Sequence, residues 1–381
     1  MDTATAVARA REITGQTIAP DAARCDREGR FSTEAVAALG RAGLLGLMAP
    51  SDVGGAALGA RAFAETTGVL AEADASVAMV FVMHVLGTAI IAAAAPTPEV
   101  RQVLADIAVG RHLTTLAFSE RGSRSHFWAP VSRAVTADGY IELTAQKSWV
   151  TSAGHVDSYV VSSLSPDAVG PVDSTLYLVP AATPGLGVAG AWDGLGLRAN
   201  ASAPVSLEEC RIPAGLRLTP ERGGFKAMME IVLPLFNVGC GAVALGICRA
   251  TVKATASHLT TARFEHLGTT LGEALPTLRA QLAAMQIQAS GLAARLDHTL
   301  AAIEEPNGET LLRVLELKAA AGDAAIEVTA GGMRACGGAA FSKHTSVERY
   351  FRDAHAGAVM APTGDVLREF IGRAVLGLPL F

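Results

Sequence analysis

The chain has 381 residues, half of them hydrophobic (50%) and only 18% charged. That composition excludes a disordered chain, which cannot bury enough apolar surface to fold. The net charge of −5, with no basic stripe, excludes an electrostatic nucleic-acid binder.

The first region, residues 1–110, reads as helical. Its opening 30 residues are charged and carry no apolar segment, unlike a secretory signal. Residues 33–40 keep helical spacing between a Ser32/Thr33 start and a stop at Gly40. A turn follows at Gly54-Gly55, and helical spacing resumes over 61–73. Residues 77–95 contain only His84 and Thr88 as polar groups, and that length borders on a membrane span. The run has no aromatic belt and no flanking Lys/Arg cluster, so it is predicted as a core helix rather than a span.

The second region, residues 111–222, switches to a period of two. Residues 140–145, 158–163, 174–180 and 203–210 read as short strands separated by Gly, Pro and Asp turns. No long helix fits between them, which predicts a small antiparallel β domain. The third region, residues 223–381, returns to apolar positions at three- and four-residue steps. Helices are predicted over 239–264, 275–304, 309–336 and 347–375, as an up-down four-helix bundle. The fold class is therefore α+β, mostly α. The five cysteines are scattered without a C-x-x-C, so neither a metal site nor a disulfide framework is expected. Reduced thiols in a cytoplasmic protein are the simple reading.

Several segments resemble the acyl-CoA dehydrogenase superfamily, in order and over nearly the whole chain. GLLGLMAPSDVGG at residues 43–55 is similar to that family's "GL-x-G-x-x-x-P-x-x-x-GG" stretch, and AEADASVA at 71–78 to its next helix junction. Ser119-Glu120, with Gly122 and Ser125, resembles the "TEPGAGSD" loop. QKSWVTSAG at 146–154 resembles "QKMWITNGG". MRACGGAAF at 333–341 resembles "QIFGGNGF", and ERYFRDA at 348–354 resembles "EKLMRDAK".

The resemblance implies FAD bound without a covalent link, in a homotetramer or homodimer; FMN, or reduced flavin supplied by a reductase, is the alternative. It implies that Trp149 lies against a flavin face and that Thr151 and Ser119 offer hydroxyls to it, with Ser125 in the same loop. Gly337-Gly338 would let backbone approach the cofactor of a neighbouring subunit, and Thr363 would stand near the FAD phosphates. Arg263 is the arginine expected at the pyrophosphate, although the segment before it is longer than the common family spacing. Arg334 replaces the family's glutamine and would reach a phosphate or form a subunit salt bridge. Met79, Phe81, Met83 and His84 fall where the family packs its acyl pocket, or in the core.

The departures bear on the reaction. The family's default is α,β-dehydrogenation of an acyl thioester, with a Glu taking the α proton and flavin N5 the β hydride. That Glu position is Ala361 here, and the alternative family position falls at Pro234-Leu235. His126, which replaces the "GSD" aspartate, and Glu230 are the candidates for a relocated catalytic base. The alternatives are a flavin-dependent monooxygenase of the C4a-hydroperoxide type, or a non-catalytic partner subunit of a heteromeric dehydrogenase. An electron-transfer flavoprotein or a flavin reductase would be the redox partner accordingly. No nucleic acid or membrane is implied.

Overall fold

The computed structural model describes residues 1–124 and 126–380. The chain opens with helices α1 (Thr3–Ile13), α2 (Ala19–Glu28), α3 (Thr33–Arg41), α4 (Ala60–Ala73), α5 (Ala75–Ala93) and α6 (Pro98–Ala108). Asp74 caps α5, accepting hydrogen bonds from the Ser76 and Val77 amides at 2.7 and 3.4 Å. Nearly every side of α5 is buried, which explains its unbroken apolar run: a helix enclosed all round needs no polar face. The other long apolar segment, residues 224–261, is likewise mostly buried.

Among the described residues seven strands follow: β1 (Thr114–Ala117), β2 (Val135–Ala137), β3 (Tyr140–Val150), β4 (Ser158–Leu164), β5 (Ser174–Pro180), β6 (Leu186–Val188) and β7 (Ala203–Pro213). They form two sheets, ordered β1-β4-β5 and β2-β3-β7-β6. The expectation of a wholly antiparallel domain needs one correction, because β1 and β4 pair in parallel. The long excursion from residue 118 to 157 supplies the crossover that a parallel pair requires. β4 and β5 are buried on both faces, with Ser158, Ser162, Ser163, Ser174 and Thr175 enclosed among their apolar residues, so burial does not alternate along them.

The third region contains α7 (Gly224–Ala227), α8 (Leu233–Thr261), the hairpin β8 (Arg263–Phe264) and β9 (Thr269–Thr270), α9 (Leu271–Ala274) and α10 (Pro276–Glu304). It ends with α11 (Thr310–Cys336), α12 (Gly338–Phe341), α13 (Val347–Val359) and α14 (Gly364–Val375). α8 and α11 run the same way: Asn237 Nδ2 donates to the Val314 carbonyl at 3.2 Å near their starts, and Cys336 meets Thr255 near their ends. α10 lies antiparallel to α11, with Gln281 Nε2 reaching the Gly331 carbonyl at 2.8 Å. The up-down bundle is therefore present, but its predicted last helix, 347–375, is two helices. Pro362 breaks it: the Ala361–Pro362 peptide is cis, and proline donates no backbone hydrogen bond.

The three regions are tied at one junction. Arg352 on α13 grips Asp26 of α2 with two bonds, at 2.9 and 2.6 Å, and also pairs with Glu348. The Leu197 amide of the β region donates to Asp353 Oδ1 at 2.7 Å. Gly196 sits so close to α13 that a Cβ there would meet the Arg352 carbonyl oxygen at 2.4 Å, so only glycine fits. All five cysteines are buried and unpaired.

Candidate functional site

The end of β3 carries the first cluster of site residues. Lys147 and Glu120, both buried, pair at 2.5 Å. Glu120 also accepts from the Val131 and Ser132 amides, each at 2.9 Å, and from Ser132 Oγ at 2.6 Å. Lys147 donates a second bond to the Ser162 carbonyl at 2.6 Å. Burial opposes ionisation of Glu120, but the Lys147 ammonium and the Ser132 bonds outweigh it and hold its pKa below the usual range. This pair clamps the loop after β1 onto β3. It sets Ser119 beside Ser148, whose amide donates to the Ser119 carbonyl at 2.8 Å.

Two residues beyond Lys147 the strand bulges. Lys147 faces Val205 and Val150 faces Ala203, so one residue too many lies on β3. Trp149 occupies the bulge with φ of 56°, a left-handed conformation costing about 1–2 kcal/mol for a residue with a Cβ. Its indole is 70% exposed. Backbone strain that presents a large apolar ring mostly to solvent points to a role beyond packing within the chain. Thr151, in contrast, is buried, and its hydroxyl lies 3.1 Å from Ser202 Oγ.

The loop after β1 continues to His126, which is exposed and stacks on Trp128 at 4.9 Å. Trp128 in turn touches Phe370 of α14 at 5.9 Å, which joins the loop to the bundle. Ser125 lies outside the described residues. Glu230 sits in the helical turn before α8, exposed, with Lys226 at 4.0 Å as its ionic neighbour.

On the bundle side, Ala361 and Thr363 lie in the link between α13 and α14, Thr363 standing directly before α14. The buried Lys318 of α11, which carries no motif, fixes this link. Its ammonium donates to the carbonyls of Pro362 (2.7 Å), Met360 (3.0 Å) and Gly357 (3.4 Å), and lies 5.7 Å from the Phe236 ring centroid. Three donors meet three acceptors at the negative end of α13. Behind the link lies a cavity of about 20 Å³, bordered by Met79, Cys240, Asp353 and Met360 and large enough for one water. Burial pushes the Asp353 carboxyl up to about 7.

Arg263, just past the end of α8, and Arg334, Gly337 and Gly338, at the end of α11, lie toward the far end of the α8/α11 pair. Arg263 is exposed and bonds the Gly268 carbonyl at 2.8 Å; Arg334 is exposed. Gly337 has φ 53° and ψ −128°, a conformation open only to glycine, and both glycines face open space. Lys318 and Arg334 are sixteen residues apart on one helix, or roughly 24 Å. Within a single chain the link that carries Thr363 and the turn at Gly337 therefore lie far apart.

His84, Met79 and Phe81 are buried in α5, and Met83 is partly buried. His84 has a structural task. Its Nε2 meets the Leu45 carbonyl at 2.9 Å and its Nδ1 accepts the Thr114 amide at 3.1 Å. That pairing requires a neutral ring, and burial pushes its pKa down to about 4.

The donor set at the end of β3 suits a flavin: an exposed planar ring with hydroxyls on Ser119 and Thr151 nearby, while exposed arginines stand elsewhere, at the ends of α8 and α11. Comparison with known proteins points the same way. Family models described as acyl-CoA dehydrogenase N-terminal, middle and C-terminal domains match residues 2–111, 115–210 and 222–376. The chain is 28% identical to a probable acyl-CoA dehydrogenase of Mycobacterium tuberculosis, over 96% of this chain and 93% of that one. It is 27% identical to the mitochondrial short-chain specific acyl-CoA dehydrogenase of Bos taurus, over 96% and 88%. In structure it resembles butyryl-CoA dehydrogenase from Megasphaera elsdenii, with a TM-score of 0.92, 21% identity, and coverage of 99% and 100%.

Proposed function

The chain belongs to the acyl-CoA dehydrogenase superfamily, and on that premise we propose that it is an FAD enzyme acting on an acyl thioester without the family's usual carboxylate base. The observation that carries the flavin half is Trp149: a strained bulge holds its indole out to solvent beside a buried, hydrogen-bonded Thr151. Bound FAD would supply the two-electron acceptor, taking the hydride from the substrate β carbon. Around it, Trp149 packs against the ring system, and the hydroxyls of Ser119 and Thr151 orient its polar edge. Thr363 stands toward the phosphates. Arg263, Arg334 and the Gly337-Gly338 turn serve the cofactor of a second copy in a homodimer or homotetramer. The roughly 24 Å along α11 from Lys318, which holds the link that carries Thr363, to Arg334 supports that division.

The α proton needs an acceptor other than residue 361, since alanine takes none. His126 is the side chain we assign to it. It lies on the loop that starts at Ser119, it is stacked and exposed, and its imidazole offers a nitrogen lone pair as proton acceptor. Glu230 is the weaker alternative, being solvated and neighboured by Lys226. An electron-transfer flavoprotein in the cytoplasm would be the redox partner of this reading.

Ala361 and Pro234-Leu235 favour a second reading. A flavin-dependent monooxygenase fed by a flavin reductase needs no α-proton base, and neither does a partner subunit that only lends cofactor contacts. The test is the absorbance spectrum of the purified protein during anaerobic addition of acyl-CoA thioesters. Bleaching of the flavin band, slowed in H126A, supports dehydrogenation with His126 as base. A flavin band that stays unbleached by every thioester overturns it in favour of the second reading. A361E, which restores a carboxylate at the family position, is expected to accelerate bleaching.

A further inference from the structure

We propose that Trp192 is a positioning residue that locks the Trp149 indole in place as one wall of the cofactor site; the inference rests on the flavin reading above. The two indoles meet edge to face, with centroids 5.9 Å apart and planes at 81°. That arrangement is favoured because the positive edge of one ring meets the negative face of the other. Trp149 needs such a partner. It is 70% exposed on a bulge, so little else in the chain restrains its side-chain rotation. A wall that rotates freely has to be ordered each time a flat ligand docks, at a cost in affinity.

Trp192 is itself immobilised from below. Its Nε1 donates to the Leu197 carbonyl at 2.9 Å. The Leu197 amide in turn donates to buried Asp353 of α13 at 2.7 Å. Gly194 makes room for the ring: a Cβ there would lie 2.2 Å from a Trp192 ring carbon. A chain of contacts thus runs from the bundle through Asp353, Leu197 and Trp192 to Trp149. It couples the bundle to the ring-binding end of the β domain. The ligand class served is a planar heteroaromatic ring, here the isoalloxazine.

The experiment compares the wild type with W192L, W192F and W149A. Three quantities are read: FAD affinity from flavin fluorescence, residual fluorescence of bound flavin, and the near-ultraviolet circular dichroism of the FAD-free proteins. Loss of Trp192 is expected to remove the paired-indole dichroism and to weaken FAD binding about three- to tenfold, the worth of one aromatic pair. Bound flavin should become brighter, since a mobile indole quenches less. W192F, which keeps an aromatic edge, is expected to recover most of the affinity, which separates positioning from misfolding. If W192L binds FAD like the wild type while W149A binds it weakly, the positioning inference is wrong and the flavin reading stands. If W149A also binds FAD normally, or the wild type binds none, both are wrong. Unchanged dichroism in W192L overturns the inference independently of any flavin.

Discussion

Replacing Lys147 with methionine is the sharpest test of how this site is held. Methionine has similar length and leaves no cavity, so the change isolates the charge. The Lys147 side chain is fully buried and the Glu120 side chain is 3% exposed. Without the ammonium, Glu120 keeps its three bonds from Val131 and Ser132 but faces no countercharge in a place water does not reach. Breaking one side of such a pair costs about 3–5 kcal/mol. The Ser162 carbonyl also loses its donor, adding about 1 kcal/mol. The double variant E120Q/K147M removes both charges and should recover most of the loss. A double-mutant cycle then gives the coupling energy directly. The assay is urea unfolding followed by tryptophan fluorescence. All three tryptophans, Trp128, Trp149 and Trp192, lie in the β region, so the signal reports the domain being perturbed. A K147M variant within 1 kcal/mol of the wild type would refute the claim that this pair holds the loop onto β3.

Acid should destabilise the protein through His84. Its folded pKa, about 4, lies below the unfolded value of about 6.5, so the unfolded state binds the proton first. The stabilisation is complete above pH 6.5 and is lost as pH falls towards 4, by up to about 3 kcal/mol. H84N, with no such titration, should show a flatter slope in that window when unfolding free energy is measured against pH. R352M should cost about 3–5 kcal/mol, because it strands partly buried Asp26 and Glu348 at the junction of the three regions. A melting temperature unchanged from the wild type would show that the junction does not depend on this arginine. G196V should disrupt the same junction by collision with the α13 backbone. Limited proteolysis faster than for the wild type is the expected sign.

The order helices–strands–helices was legible from periodicity, because burial of one face imposes a period on the residues themselves. Motif order added the family, and with it Trp149, Thr151 and the vacancy at residue 361. Other features lay outside what local spacing records. The cis link at Pro362 looked like part of a continuous helix, since the apolar pattern resumes on its far side. Lys318 looked like any helix lysine, and only the approach of α13 turns its ammonium into the anchor of three carbonyls. Trp192 carried no motif; its role appears only because the bulge in β3 brings Trp149 to it. Amino-acid pattern thus determined which segments form elements and which family the chain belongs to. Tertiary structure decided which charged and aromatic groups meet, because pairings across 27 residues, from Glu120 to Lys147, or 326, from Asp26 to Arg352, depend on packing that no local period encodes.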